Sequence, residues 1–151
     1  VRRDNKDWIF AITTIWNGVC IVAIDEENNI LLVQEFKYAL KRDDINLPGG
    51  WIDWNETPID SAKRELEEEI GYIAEEWISL WYMHPLTTIL KQTEYLFLAR
   101  KLRKTNKKDD DWENTTLIRL PFSQAIDMVM KSEITHWASI VAILKTQKYI
   151  D

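Results

Sequence analysis

Residues 50–72 read GWIDWNETPIDSAKRELEEEIGY, and this stretch decides the fold. Its central part predicts a helix from Thr57 to Ile70, because a start signal precedes this segment and a stop signal follows it. Thr57 is a favourable N-cap, Pro58 suits the first helical position, and Asp60 completes a capping box in its acidic form. Gly71 follows at the position where helices commonly end in a left-handed residue.

One face of this helix is apolar and is expected to be buried. At 100° per residue its apolar side chains form a narrow stripe. The members of the stripe are Ile59, Ala62, Leu66 and Ile70. The helix therefore packs on a core through that side and leaves its other faces available.

A second face carries three carboxylates. Glu65, Glu68 and Glu69 are spaced i, i+3 and i+4, so their side chains are neighbours, whereas Glu67 points away from them. Like charges at this spacing destabilise a helix by roughly 0.2–0.5 kcal/mol per pair, and the helix dipole disfavours anions in the last turn. A hard divalent cation would relieve the repulsion, and magnesium prefers carboxylate oxygens. From the helix alone, a solvated acidic face remains the alternative interpretation.

The rest of the chain predicts strands before and after this helix, followed by further helices. Polar turn residues at Glu26–Asn29 and Leu47–Gly50 separate several of these segments. The predicted strands are Trp8–Trp16, Gly18–Asp25, Ile30–Phe36, Trp77–His84, Glu94–Leu102 and Thr116–Leu120. The predicted later helices run from about Pro121 to Lys131 and from Thr135 toward Lys148. This order predicts an α+β sandwich rather than a regular βαβ repeat, with residues 1–151 forming a single domain.

Composition limits the classes of function. The chain has 151 residues and a formal net charge of −6, which argues against a nucleic-acid-binding surface. No stretch has the apolar length of a membrane span, and the first residues do not resemble a signal peptide. Cys20 is the single cysteine and lies in an apolar run, so we interpret it as a core residue. A reducing, cytoplasmic location is the simplest expectation.

The spacing of the quoted segment resembles a complete Nudix box. The matching positions are Gly50, Glu56, Arg64, Glu65, Leu66, Glu68, Glu69 and Gly71. The resemblance extends from about Gly18 to Ile150. It implies the Nudix-type α/β/α sandwich, a mixed β-sheet with the box helix on one face and C-terminal helices packing against it.

The same resemblance implies roles for the box residues. Glu65, Glu68 and Glu69 would be metal ligands, and the backbone carbonyl of Gly49 or Gly50 often completes the coordination. Arg64 would hold the carboxylates, and Glu56 would orient the loop and the helix. We assign Glu68 a catalytic role as well. The expected cofactor is Mg²⁺, with Mn²⁺ as a substitute, because a cation on the phosphates neutralises charge and activates water.

Outside the box, the sequence resembles ADP-ribose and nucleoside diphosphate sugar pyrophosphatases. Leu32–Tyr38 is similar to a segment that precedes the box in those enzymes, and Ser132–Thr135 is similar to their C-terminal signature. Pro85 stands at the position of their marker proline. Lys37 occupies a position where an arginine is typical. We therefore expect Lys37, Pro85 and Trp51 to contact substrate, although Trp51 is equally suited to packing.

An acidic loop, Lys104–Asn114, follows the strand that begins at Glu94. By resemblance, a mobile loop at this point carries a catalytic glutamate, and Glu113 is the best match. The neighbouring Asp109–Asp111 run is the alternative source of such a group. A plain solvated loop is the third interpretation.

The resemblance implies hydrolysis of the diphosphate linkage in a nucleoside diphosphate derivative, and ADP-ribose or a nucleotide sugar is the leading expectation. The Gly49–Gly50 pair is commoner in relatives that cleave triphosphates, so a nucleoside triphosphate pyrophosphatase is the alternative. A non-catalytic nucleotide sensor is a second alternative, but such domains generally lose box glutamates. A homodimer is the family expectation, with no nucleic-acid or membrane partner.

Overall fold

The computed structural model describes residues 2–3, 6–7, 9, 11–105 and 115–150. The strands in this part of the chain are β1 (Arg2–Arg3), β2 (Lys6–Asp7), β3 (Thr13–Thr14), β4 (Gly18–Ile24), β5 (Asn29–Lys37), β6 (Arg42–Asn46), β7 (Gly49–Trp51), β8 (Tyr72–Met83), β9 (Leu90–Lys91), β10 (Glu94–Lys104) and β11 (Thr116–Pro121). The helices are α1 (Pro58–Ile70), α2 (Phe122–Met130) and α3 (Trp137–Thr146), and a short 3₁₀ helix follows at Gln147–Tyr149.

Among the described residues, the principal sheet is mixed and contains seven strands. Its main path runs β11-β5-β4-β10-β8, while β6 pairs with β5 and β7 pairs with β4. The β4–β10 pair is parallel, and the other neighbours in this sheet are antiparallel. Two small pairings, β1 with β2 and β3 with β9, lie apart from it.

The sheet splays apart between β4 and β5. These strands pair only where Ala23 faces Leu31 and Ile24 faces Ile30. Toward the start of β4, the partner strand becomes β7 instead, while the later part of β5 pairs with β6. The chain between β6 and β7 therefore bridges two diverging strands, and the divergence creates room for a cleft.

The two faces of the sheet support separate hydrophobic cores. Side chains alternate along β4, so that Val19, Ile21 and Ala23 face one core while Cys20, Val22 and Ile24 face the other. The first core is completed by α1, and the second is completed by α2 and α3. This arrangement confirms the predicted α+β, three-layer sandwich with the box helix on one face of a mixed sheet.

Helix α1 agrees with its predicted bounds. Thr57 is the N-cap, and its Oγ1 accepts a hydrogen bond from the Asp60 amide at 3.3 Å. The same hydroxyl donates to Asp60 Oδ2 at 2.6 Å, so the Asp60 carboxylate bonds the Thr57 hydroxyl instead of the Thr57 backbone amide that a capping box requires. Gly71 closes the helix at φ 70°, where a side chain would strain the backbone. Ala62, Leu66 and Ile70 are buried as expected, whereas Ile59 is only partly buried.

The predicted strand at Trp8–Trp16 is wrong for most of its described length. Only Thr13–Thr14 is a strand there, paired with Leu90–Lys91. Ile12 and Trp16 are 66% and 56% exposed. Their side chains therefore lack the packing that makes β-branched and aromatic residues favour a strand. Trp8 and Phe10 lie outside the described residues.

The other boundary errors concern β6, β7, β8 and α3. Strand β8 begins at Tyr72, five residues earlier than predicted, because it pairs with the full length of β10. Strand β6 was not predicted, and part of the predicted turn at Leu47–Gly50 belongs to β7. Helix α3 begins at Trp137 rather than Thr135, with extended backbone at His136.

No helix in the described ranges is long and apolar enough to cross a membrane.

Candidate active site

Arg64 is the centre of a hydrogen-bond network on α1. Its Nε and Nη2 donate to the two carboxylate oxygens of Glu56 at 3.0 and 3.1 Å. Its Nη1 donates to Glu65 at 2.8 Å and to Glu68 at 2.9 Å. Nη2 also donates to the backbone carbonyl of Trp51 at 3.1 Å, which ties the preceding loop to the helix. One guanidinium thus offsets the repulsion that the sequence predicted for this face.

Glu56 is held in its ionised form by these contacts. The two bonds from Arg64, followed by the bond from Ser61 Oγ at 2.5 Å, lower the pKa of Glu56 to about 2. Reciprocally, Glu56 is the main cause that raises the pKa of Arg64. The pair is permanently charged near neutral pH and acts as a rigid brace between the loop and α1.

The glycines before the helix allow the backbone to approach the carboxylates closely. The Gly49 amide donates to Glu69 Oε2 at 2.7 Å. A Cβ atom at Gly50 would fall within 3.0 Å of the Glu65 carboxylate, closer than real Cβ contacts come. The Gly49–Gly50 pair therefore places a bare backbone strand against two carboxylates of the box helix.

Glu65, Glu68 and Glu69, with Arg64, form a carboxylate array on α1. A cleft with a volume of about 510 Å³ opens beside this array, where β4 and β5 diverge. Its walls come from β4, β5, β6, β7, the start of β10 and the start of α3. The residues that line it are Gly18, Val19, Cys20, Val33, Glu35, Lys37, Ala39, Leu40, Asp44, Asn46, Leu47, Gly49, Gly50, Trp51, Glu69, Gln92, Glu94, Thr135, His136 and Trp137. Glu69 is the box glutamate that reaches the cleft wall.

The charges on the cleft wall are predominantly acidic. The carboxyl groups are those of Glu35, Asp44, Glu69 and Glu94, and the lysine is Lys37, which forms an ion pair with Glu35. Burial lowers the pKa of His136, and the nearby Lys37 charge lowers it further, so the imidazole adds little positive charge at neutral pH. An anionic ligand in this cleft therefore requires a compensating cation.

The α3 end of the cleft is organised by hydrogen bonds to the chain before the glycine pair. His136 Nδ1 lies 2.9 Å from Ser139 Oγ, and the same Oγ accepts a bond from the Leu47 amide at 3.0 Å. Asp44 lies 3.3 Å from Arg42 Nη2 and 3.5 Å from Thr135 Oγ1. These contacts connect α3 to the segment that enters the box.

The donor set of the box suits a hard cation, but it is not assembled as a metal site. Carboxylate oxygens around an open glycine backbone are appropriate ligands for Mg²⁺. In the described part of the chain, no three acidic, histidine or cysteine side chains are grouped to hold a metal ion. Glu65 and Glu68 contact Arg64, and Glu69 contacts the Gly49 amide. Metal binding therefore requires some of these carboxylates to exchange partners.

The structure brings together most of the residues proposed from the sequence. The eight that meet at the array or the cleft are Lys37, Gly49, Gly50, Trp51, Glu56, Arg64, Glu65 and Glu69, and Glu68 joins them through Arg64. Pro85 does not line the cleft, so its expected substrate contact stays an unsupported prediction. Glu113 and the Asp109–Asp111 run lie outside the described residues.

Sequence reasoning missed several residues that line the cleft. The most informative is Glu94, which is only 9% exposed, and whose pKa is raised to about 7 by burial. A signal was present: Glu94, Leu96 and Leu98 share one face of β10 at a period of two, and the two leucines are core residues. Asp44, Thr135 and Trp137 gave no comparable signal because their places depend on long-range packing.

Comparison with known proteins agrees with this geometry. Residues 15–139 match the model of the NUDIX domain. The chain is 29% identical over 130 residues to a methanol dehydrogenase activator of Bacillus methanolicus, covering 83% of this chain and 69% of that protein. It is 27% identical over 119 residues to an ADP-ribose pyrophosphatase of Bacillus subtilis, covering 78% of this chain and 64% of the relative. The chain thus spans about two thirds of the length of these relatives.

A solved structure, a crystal structure of an ADP compounds hydrolase, has the same fold. It aligns with a TM-score of 0.79 at 20% identity, covering 88% of this chain and 71% of the other. The sandwich and its carboxylate-bearing helix define a class of proteins built around the Nudix box. This chain belongs to the NUDIX family. Membership confirms the resemblance found in the sequence, and the relatives support the expectation of a Nudix pyrophosphohydrolase.

Proposed function

We propose that this protein is a divalent-metal-dependent pyrophosphohydrolase that cleaves a nucleoside diphosphate derivative, with ADP-ribose or a nucleotide sugar as the substrate class. Water adds across the diphosphate, one P–O bond breaks, and the products are a nucleoside monophosphate and a sugar phosphate. The observation that carries the proposal is the carboxylate array ordered by Arg64 at the border of the cleft.

The proposed cation is Mg²⁺, with Mn²⁺ as a substitute, held by Glu65, Glu68 and Glu69 with a backbone carbonyl of Gly49 or Gly50. When bound, such a cation neutralises phosphate charge and acts as a Lewis acid for hydrolysis. The acidic wall of the cleft supports this assignment, because a diphosphate would otherwise meet the carboxylates of Glu35, Asp44 and Glu69.

The protein's own groups provide orientation. Arg64 restricts the rotamers of Glu65 and Glu68, and Glu56 fixes Arg64 through two parallel hydrogen bonds. The Gly49 amide restricts Glu69 in the same way. These contacts keep the three carboxylates on one side of the helix, and a bound cation would replace some of them. We propose that Glu113, on the acidic loop, supplies the general base.

The cleft has the size and lining expected for a small organic ligand. Its volume of about 510 Å³ falls within the range of roughly 300–1,000 Å³ that is usual for ligand pockets. Trp51 and Trp137 are 52% and 48% exposed at its wall, so both indoles are available for stacking against a base. Lys37 is the proposed phosphate contact, released from Glu35 when an anion enters.

Product analysis tests the proposal. The protein is incubated with Mg²⁺ and a panel of ADP-ribose, nucleotide sugars, dinucleoside polyphosphates and deoxynucleoside triphosphates, and products are separated by anion-exchange chromatography. We expect AMP and ribose 5-phosphate from ADP-ribose, or the equivalent pair from a nucleotide sugar. Release of pyrophosphate from a deoxynucleoside triphosphate alone would support the alternative, which the Gly49–Gly50 pair favours.

The panel includes one control, and the same sample allows a second measurement. The Glu68→Gln variant identifies contaminating hydrolases, because its residual rate sets the background. Sedimentation velocity on the same sample tests the homodimer that we propose from family resemblance. Hydrolysis of no compound by the wild-type protein, with Mg²⁺ or Mn²⁺ present, would contradict the proposed function.

A further inference from the structure

The array on α1 accounts for one end of the cleft but not for the carboxyl group at the start of β10. Glu94 lies in register with Gly18 of β4, and Gly18 in turn lies in register with Trp51 of β7. The three residues therefore form one row across the sheet. All three line the cleft. Glu94 thus occupies the cleft wall two strands away from the glycine-rich strand of the box.

The Glu94 carboxyl group lies over Gly18. A Cβ atom at Gly18 would come within 3.0 Å of both carboxyl oxygens and the carboxyl carbon of Glu94. Any larger residue at position 18 would displace this carboxyl group. The absence of a side chain on β4 consequently provides the space that the Glu94 carboxyl group fills.

This location is unfavourable for an ionisable group unless it has a use. Leu96 and Leu98, on the same face of β10, are fully buried in the core, so an apolar residue would fit the pattern at position 94. The side-chain amide of Gln92 donates a hydrogen bond to the Glu94 carboxyl group at 3.3 Å. Burial raises the pKa of Glu94 to about 7. A carboxyl group on an otherwise apolar face of β10, at the wall of a cleft, indicates a functional role.

The chemistry of a carboxyl group restricts what it recognises. Its ionised form repels phosphate, and both its ionised and its neutral form accept hydrogen bonds from hydroxyl and amino groups. In a nucleoside diphosphate derivative such donors are found on the sugar and on the base. The phosphates are assigned to the box, which lies on the other side of Gly18 along the row.

We propose that Glu94 is a specificity-determining residue whose carboxyl group accepts a hydrogen bond from a sugar hydroxyl or a base amino group of the substrate in the cleft. The inference rests on the proposed function and deepens it, because it names the part of the substrate that the cleft recognises. Residues that hydrogen-bond a substrate donor discriminate strongly against analogues that lack it, since the protein group is then left unpaired.

The test compares kcat/KM for matched substrates in three proteins. The substrates are ADP-ribose, its purine analogue, in which hydrogen replaces the 6-amino group of adenine, and its 2′-deoxy analogue, which lacks one hydroxyl of the adenosine ribose. The proteins are the wild type, Glu94→Met, which is apolar and of similar length, and Glu94→Gln, which keeps an acceptor. Glu75→Gln is the control, because it makes the same change on an exposed surface.

In the wild type at pH 8, above the pKa of about 7 of Glu94, we expect one of the two analogues to lose about tenfold or more in kcat/KM, the usual size for a hydrogen bond to a charged group. The analogue that loses identifies the donor as amino or hydroxyl. Glu94→Met should reduce that discrimination to about twofold, and Glu94→Gln should restore part of it. Glu75→Gln should match the wild type.

Unchanged discrimination in both Glu94 variants, with active wild-type protein, would overturn this inference and leave the proposed function intact. If Glu94→Met fails to fold, as monitored by circular dichroism, Glu94→Ala takes its place, because it also removes the acceptor. Wild-type protein that hydrolyses none of the three compounds would instead remove the proposed function, and this inference with it.

Discussion

The guanidinium of Arg64 and the carboxylate of Glu56 form two parallel hydrogen bonds of 3.0 and 3.1 Å across the junction between the loop and the box helix. This two-point contact leaves Nη1 of Arg64 to bind Glu65 and Glu68. A single residue therefore connects the loop to both of these carboxylates, and the order of the array depends on the planar geometry of arginine.

Arg64→Lys should accordingly disturb the whole array although it preserves the charge. An ammonium group cannot bond both oxygens of Glu56 and also reach Glu65 and Glu68 in fixed geometry. We expect kcat/KM to fall about tenfold or more and the free energy of unfolding to decrease only modestly, because the contacts of Arg64 are partly exposed to solvent. The measurements are steady-state kinetics and urea denaturation. Arg119→Lys is the matched control, because Arg119 also bonds two carboxylates, Asp25 and Glu27, away from the box. Equal activity losses in both variants would contradict the assigned role.

Acid should weaken the fold partly through Glu56. Its pKa is about 2 in the folded protein, below the ordinary value of about 4.3 in an unfolded chain. The stabilisation is therefore fully present above the unfolded pKa and is lost as the pH falls toward 2. The difference in unfolding free energy between the wild type and Glu56→Gln should be largest near neutral pH and should shrink steadily below pH 4. A difference that is independent of pH would show that Glu56 is not held ionised by Arg64.

Glu68→Gln or Glu69→Gln should reduce kcat by two or more orders of magnitude, a size usual for the loss of a key electrostatic group. Relief of the repulsion between neighbouring carboxylates favours unchanged or higher stability in these variants. In the structure, Glu68 also bonds to Arg64 at 2.9 Å with a 40% exposed side chain, so we expect a small net change of about 0.2–1 kcal/mol in either direction. Glu67→Gln is the control and should be nearly silent. Equal losses of activity at Glu67 and Glu68 would refute the assignment of faces.

Metal should be required for activity and should stabilise the folded state. A chelator should abolish turnover, and excess Mg²⁺ or Mn²⁺ should restore it. Because the unfolded chain has no assembled carboxylate array, saturating metal should raise the melting temperature; a concentration of one hundred times Kd corresponds to about 2.7 kcal/mol. The triple variant Glu65→Gln, Glu68→Gln and Glu69→Gln should show no such rise. Full activity in excess chelator would exclude the proposed chemistry.

The acidic loop carries the remaining prediction. Glu113→Gln should lower kcat by roughly 10²–10⁴, the usual span for loss of a general base, with little change in KM. Single Asp→Asn changes at Asp109, Asp110 and Asp111 serve as controls and should have much smaller effects. If one aspartate proves essential while Glu113 is dispensable, the base belongs to that aspartate.

The sequence by itself determined the box helix and the carboxylates that it carries. Thr57, Pro58 and Gly71 act within a few residues of the ends that they specify, and the stripe of Ala62, Leu66 and Ile70 depends only on helical periodicity. Such signals are local, so they can be interpreted without knowing what the helix packs against. The three-layer sandwich also followed from the order of elements and the family resemblance.

Only the tertiary structure decided the shape and chemistry of the cleft. The cleft exists because β4 exchanges β5 for β7 as its partner, and strand pairing between distant segments leaves little local trace. The same long-range packing brings Glu94 over Gly18 and places Trp137 at the cleft wall. It also leaves Ile12 and Trp16 exposed, although both favour strands. Side-chain identity specified the helix that carries the proposed metal ligands, whereas contacts between remote strands specified the cavity beside them.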